Sequence, residues 1–210
     1  EALKNFERIE PQIEPSTFKG SLRPYQREGL GWMHFLQDFG FGGCLADDMG
    51  LGKTIQVLAL LEDRRLKRLA GEKIGPSLVV VPRSLVFNWK QEAARFTPEL
   101  KVKDHTSALR SHGPFDDWDV VLSTYGTLRS DVMRWQATTF DYAILDEAQA
   151  IKNATTESAR AARLIRSKHR LALSGTPVEN RMSELISIFS FLNPSLAAGS
   201  VALTELASDK

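Results

Sequence analysis

The chain has one cysteine, Cys44, in 210 residues, so no disulfide can form within it and its stability must come from a packed core. No apolar run approaches the roughly 20 residues that a membrane-spanning helix needs. The opening EALKNFERIE carries acidic residues where a secretory signal would be basic. These absences predict a reducing compartment and no membrane partner. Charge of one sign is also lacking: 27 Lys and Arg face 26 Asp and Glu, a formal net charge of +1, so any nucleic-acid contact has to be a local patch. Internal repeats and low-complexity tracts are missing too. What is present, 42% hydrophobic and 25% charged residues, suits one globular domain with a sizeable core.

The first 21 residues, with Pro11, Pro15 and Gly20, read as an irregular lead-in. From Pro24 onward, RPYQREGLGWMHFLQDFG has helical spacing, with Tyr25, Gly29, Trp32 and Leu36 near one face and Arg27, Glu28 and Gln37 toward solvent. Short apolar runs then recur: Cys44-Leu45-Ala46, SLVVVP (77–82), DVVLST (119–124), DYAILDE (141–147) and HRLALSGTP (169–177). Between them lie helical stretches: the run carrying Ile55, Leu58, Ala59, Leu66 and Leu69, then VFNWKQEAARF, 155–166 and MSELISIFSFL. Strand runs alternating with helices predict an α/β fold, a mostly parallel sheet covered by helices on both faces. In such folds ligands sit beyond the carboxyl ends of the strands. Every unusual polar motif of this chain falls there.

GCLADDMGLGKTIQ (43–56) is the first of them, a strand, a glycine-rich turn and a helix start. Gly50 and Gly52 can take positive φ without a steric penalty. The N–H groups from Met49 through Leu51 to Thr54 can then curl around an anion at a helix N-terminus. Lys53 would reach outer phosphates, and the Thr54 hydroxyl suits magnesium. The general pattern G-x-x-x-x-G-K-[ST] has a glycine where this chain has Asp47, so a glycine-rich turn that merely precedes Lys-Thr stays open on this stretch alone. YAILDEAQ (142–149) ends an apolar strand in two carboxylates. Asp146 could hold the metal, and Glu147 could orient and deprotonate a water, the requirements of phosphoryl transfer to water; the same pair could also simply begin a helix.

LRPYQREGLGWM, LADDMGLGKTIQ, LVVVPRSLVFNW, STYGTL, ILDEAQAIKN and LALSGTPVENRMSEL stand in the order of the Swi/Snf family of helicase-like ATPases in superfamily two. The chain resembles the N-terminal RecA-like lobe of that family over roughly 22–194, and its wording is closer to bacterial and archaeal members, since chromatin remodellers usually have Glu where Asp48 stands. Asp47 is what the family has at its position.

The resemblance implies an α/β/α phosphate-loop domain that binds ATP with Mg2+. Gln26 matches the residue that reads the adenine edge; Asp48, Met49, Gly50, Leu51, Gly52, Lys53 and Thr54 match the phosphate loop; Thr54 and Asp146 match the metal side; and Lys53, Asp146 and Glu147 match the catalytic set. Ser174, Gly175 and Thr176 match the motif that couples nucleotide state to movement. Pro82, Arg83, Ser84 and Asn88, with Thr124 and Tyr125, match segments near a tracking strand of double-stranded DNA, where hydroxyls and N–H groups can hold phosphates without reading bases. Trp89 is read as a packing aromatic. The basic stretch Arg160, Arg163, Arg166, Lys168 and Arg170 is read as a solvated helix face ahead of a DNA stripe.

By the same resemblance the partners are duplex DNA, a second RecA-like lobe that supplies arginines, and a DNA-bound protein complex that would be displaced or remodelled. Residues 195–210 depart from the family's continuation, so the lobe by itself is expected to bind ATP and turn it over slowly. The expected location is the cytoplasm of a bacterium or archaeon, in contact with the nucleoid, or the nucleus in a eukaryote. Two other readings remain at this stage: a non-catalytic, nucleotide-gated DNA- or protein-binding module, and a small phosphotransferase, for which the sequence shows no acceptor pocket.

Overall fold

The computed structural model describes residues 9–107, 110, 114–175 and 182–198. Six strands form one parallel sheet among them: β1 (Gly43–Leu45), β2 (Ser77–Val81), β3 (Val102–Asp104), β4 (Val120–Thr124), β5 (Thr139–Leu145) and β6 (Arg166–Leu173). Their order across the sheet is β1-β6-β5-β2-β4-β3, with every neighbouring pair parallel. This is the α/β architecture that the alternating runs predict.

The strand residues alternate between two cores, as a period of two requires. Val79, Val81, Val120, Leu122, Ile144, Leu171 and Leu173 face α1 (Pro24–Phe39), α2 (Lys53–Leu69) and α3 (Val86–Phe96). Leu78, Val80, Val121, Ala143, Leu145 and Ala172 face the opposite layer, where α4 (Tyr125–Ser130), α5 (Val132–Ala137), α6 (Glu157–Arg163) and α7 (Met182–Leu192) pack. A short α8 (Pro194–Ala198) follows. Both faces of β2, β4 and β5 are buried, which is why these strands read as continuous apolar runs. Cys44 is half-buried and packs with the second core.

Three expectations need correction. In α1 the buried residues are Gln26, Leu30, Gly31 and Met33, whereas Tyr25, Gly29, Trp32 and Leu36 are half-buried. The helix is covered on more than one side: Leu30, Met33 and Trp32 pack with the first core, Leu36 approaches Gly43 of β1, and Gly31 lies against the Glu10 backbone. A Cβ at Gly43 would stand 2.3 Å from Leu36 Cδ1 and 2.7 Å from Trp32 Cη2, so that close approach requires glycine. In α2, Leu69 is exposed. Packing against both α1 and α3 buries the seven consecutive residues Gln56 to Glu62 instead of one stripe, and the last turn runs out into solvent.

The third correction concerns the basic stretch. The helix expected over 155–166 is only α6 (Glu157–Arg163), and β6 starts at Arg166, so the five cations do not share a helix face. Arg160, Arg166 and Lys168 are exposed, whereas Arg170 is buried. Its Nη1 donates to the Phe191 carbonyl at 2.9 Å and its Nη2 to the Ile165 carbonyl at 2.5 Å, with the guanidinium 5.1 Å from the Phe191 ring centroid. These carbonyls lie in the last turn of α7 and just beyond α6, where helix dipoles favour a cation. Burial pushes the Arg170 pKa down to about 10, which leaves it charged at neutral pH. Arg170→Met keeps the stem but removes both charge-assisted bonds. It is expected to cost about 2 kcal/mol, seen by circular dichroism as a melting temperature lower by about 4–8 °C for a domain of this size.

Candidate functional site

Leu45 ends β1, and the chain then turns through 46–52 before α2 begins at Lys53. Gly50 has φ of 83° and Gly52 φ of 77°, both in the left-handed region. At Gly52 space is limiting as well, because a Cβ there would stand 2.6 Å from Gln26 Nε2 and 2.9 Å from Ile55 Cγ2. The first turn of α1 holds this loop from outside. Gln26 accepts from Arg23 N at 2.9 Å and donates through Nε2 to the Leu51 carbonyl at 3.1 Å, which the Tyr25 hydroxyl also reaches at 3.0 Å. Lys53 Nζ donates to the Asp47 and Asp48 carbonyls at 2.7 and 3.1 Å. Asp47 accepts from Gln56 Nε2 at 3.1 Å, so the residue that departs from the general pattern pins the loop to its own helix. Asp48, Met49 and Leu51 are exposed, and Thr54, the second residue of α2, is half-buried.

The carboxylate pair follows β5, two strands from β1 with β6 between them. Asp146 is buried, and each of its oxygens has a donor: Trp89 Nε1 gives Oδ2 a bond of 2.8 Å and Glu147 N gives Oδ1 one of 2.9 Å. Burial raises its pKa, and the bonds from Trp89 and the Glu147 amide, together with the nearby Lys53 charge, oppose that rise. Glu147 has φ of 50°, the one positive value outside glycine among the described residues. Its Oε2 accepts from Gln149 Nε2 at 2.6 Å. It precedes a short 3-10 turn, Ala148–Ile151, so the pair does not open an α-helix.

The third segment lies between these two. Ser174 N donates to the Leu45 carbonyl at 3.1 Å, which carries β6 one residue further along β1. Gly175 then approaches the phosphate loop so closely that a Cβ would stand 2.7 Å from Met49 Cγ and 3.7 Å from Lys53 Nζ. Thr176 lies outside the described residues. The loop, the Ser174-Gly175 segment and the carboxylate turn therefore leave three neighbouring strands at the same sheet edge.

The segments expected to face a tracking strand leave the next two strands, β2 and β4. Arg83, Ser84 and Asn88 are exposed, Asn88 bonding Glu92 of its own helix, and Pro82 precedes the 3-10 turn that leads into α3. Thr124 and Tyr125 have internal partners instead. The Thr124 hydroxyl caps α4 by accepting from Thr127 N at 3.2 Å, and the Tyr125 hydroxyl donates to the Asp146 carbonyl at 2.7 Å. Trp89, Tyr125 and Gln149 as supports of the carboxylate turn were not identified as such in the sequence. Trp89 lies 57 positions from Asp146, and no local pattern marks a contact of that kind.

Among the described residues no group of three or more His, Cys, Asp or Glu side chains could hold a resident metal. A magnesium ion that arrives with a nucleotide needs only one or two protein oxygens beside phosphates and waters. The Thr54 hydroxyl and Asp146 carboxylate are hard oxygen donors of that kind, so the chemistry of the donor set fits. Beside the loop, a cavity of about 620 Å³ is lined by Ile9, Tyr25, Glu28, Gly29, Trp32, Leu45 and Asp47.

A strand, glycine loop and helix with Lys-Thr at the helix start, set near a strand-terminal Asp-Glu in a parallel sheet, define a RecA-like phosphate-loop domain. Residues 25–202 match the SNF2-related domain, and the chain belongs to that family. It is 46% identical over 189 residues to YwqA of Bacillus subtilis (strain 168), a protein named for ATP-dependent helicase/translocase activity, covering 88% of this chain and 20% of that one. It is 36% identical over 192 residues to the TATA-binding protein-associated factor MOT1 of Saccharomyces cerevisiae, covering 86% and 10%. The solved SWI2/SNF2 ATPase core of Sulfolobus solfataricus in complex with dsDNA superposes with a TM-score of 0.80 at 42% identity, covering 91% of this chain and 39% of that one. The chain thus spans a fifth or less of the length of these two curated relatives.

Proposed function

We propose that this chain is the ATP-binding lobe of a DNA-dependent ATPase that translocates on double-stranded DNA and displaces or remodels proteins bound to it. The observation that carries the nucleotide half is the convergence of Lys53, at the start of α2, and the Asp146-Glu147 turn at one end of the sheet. Lys53 would exchange the Asp47 and Asp48 carbonyls for the outer phosphates, held meanwhile by the N–H groups of 50–54 at the helix N-terminus. Thr54 and Asp146 would hold magnesium, which when bound supplies charge neutralisation to the phosphates. Glu147 would orient the attacking water and take its proton. The cavity between α1 and the loop, walled by Tyr25 and Trp32, would seat the adenine. For Gln26 to read the base edge, it would exchange one of its present bonds to Arg23 or Leu51.

The duplex half is supported by likeness to a core solved with dsDNA and by the exposed Arg83, Ser84 and Asn88 at the same sheet edge. Contacts of that type hold backbone phosphates and suit movement along any sequence. The arginines that complete the transition state would come from a second RecA-like lobe. Because such an arginine contributes about 10³-fold or more to phosphoryl transfer, the isolated lobe is expected to bind ATP and hydrolyse it slowly. The experiment is steady-state ATP hydrolysis with magnesium at low salt, by this chain and by the whole protein, with and without long duplex DNA. Slow turnover by the chain and duplex-stimulated turnover by the whole protein are expected. Indifference of the whole protein to duplex DNA, or stronger stimulation by single-stranded RNA, would sink the translocase reading.

A further inference from the structure

The turn that carries Asp146 and Glu147 is held in a conformation that its own sequence does not favour. A glutamate at φ of 50° and ψ of 56° lies in the left-handed region, which a non-glycine residue keeps only where its surroundings over-determine it. Those surroundings can be named. From the β2 side, the buried Trp89 of α3 donates its indole N–H to Asp146 Oδ2 at 2.8 Å. From the β4 side, the Tyr125 hydroxyl donates to the Asp146 carbonyl at 2.7 Å and lies 3.5 Å from that of Glu147. Asp146 N is tied to the Val80 carbonyl of β2 at 2.9 Å. The two side chains thus hold the acid from two directions, one at its carboxylate and one at its backbone.

We propose that Trp89 and Tyr125 are positioning residues, a two-point clamp that keeps Asp146 aimed for metal and holds the Glu147 backbone left-handed. The role rests on the nucleotide reading above. Trp89 occupies one carboxylate oxygen with a directional N–H bond and leaves metal coordination to the remaining lone pairs, as partners of metal-ligating carboxylates generally do. Tyr125 fixes the peptide between the two acids, whose plane sets the direction in which Glu147 leaves the strand. Gln149 then bonds the Glu147 carboxylate at 2.6 Å. Trp89 thus stems from the segment after β2 whose Arg83, Ser84 and Asn88 face solvent, and Tyr125 from the segment after β4.

Tyr125→Phe removes one donor and keeps the ring, whereas Trp89→Phe removes the indole N–H and leaves a smaller aromatic ring in the core. The first measurement needs no nucleotide: amide hydrogen exchange of this chain, read at Glu147 and Ala150, whose N–H groups bond Asp146 Oδ1 and the Glu147 carbonyl. The clamp predicts exchange about tenfold faster or more at these amides in both variants, with the β2 and β5 amides unchanged. The second is binding of a fluorescent ATP analogue across a magnesium titration and again in chelator. Trp89→Phe should raise the magnesium concentration for half-saturation by about tenfold or more, as loss of a ligand's supporting partner usually does, with metal-free affinity unchanged. Exchange at parental rates in both variants overturns the clamp. So does acceleration spread evenly over the sheet, which would make both residues simple packing groups. A parent whose nucleotide binding ignores magnesium refutes the nucleotide reading, while local acceleration of exchange would still uphold the clamp on the turn.

Discussion

Glu147→Gln in the whole protein is expected to leave magnesium-dependent ATP binding within about twofold of the parent while turnover falls by roughly 10²–10⁴-fold, the usual worth of a positioned general base. The side chain lies two residues beyond the end of β5, outside the loop that would hold the phosphates, so the change does not touch the binding contacts. Glutamine keeps the size and can still exchange a hydrogen bond with Gln149, but it has no basic oxygen to accept a proton from water. Loss of turnover at constant affinity is the signature of an interaction made only in the transition state. Single-turnover hydrolysis beside equilibrium binding separates the two quantities. A variant that hydrolyses at the parental rate would remove Glu147 from the base role.

Lys53→Ala is expected to weaken ATP binding by about 100-fold, because an ammonium at the outer phosphates makes charge-assisted bonds worth about 1.5–3 kcal/mol each. The same side chain now ties together the Asp47 and Asp48 carbonyls, so its loss also loosens the loop that precedes α2. Isothermal titration calorimetry gives the affinity, and a thermal melt shows whether the fold persists. The core of α2 is built from Gln56 onward, so only a small change in melting temperature is expected. Unchanged affinity would place the phosphates elsewhere.

The features legible in the sequence were those with a local cause. SLVVV and DYAIL announce buried parallel strands because both faces of each are covered, and Gly50 and Gly52 announce positive φ because only glycine takes it readily. Harder to read were features set by distant packing. The face of α1 was misplaced because the helix is covered on more than one side, which a single-stripe pattern does not represent. Arg170 looked like one of five surface cations until α7 supplied a carbonyl for it. The three-residue β3 and the short helices α4 and α5 hold too few residues to show a period. Trp89 and Tyr125 carry no motif for what they do, since each acts on a turn that is distant in the chain and adjacent in the sheet.

The central claim is that the loop after β1 and the turn after β5 form one magnesium-nucleotide site. Equilibrium binding of a fluorescent ATP analogue to this chain, with magnesium and with chelator, beside Lys53→Ala and Asp146→Asn, tests it most directly. The account predicts saturable binding that magnesium strengthens, lost in Lys53→Ala and made insensitive to magnesium in Asp146→Asn. Equal binding by all three proteins, or binding by none of them, would contradict it.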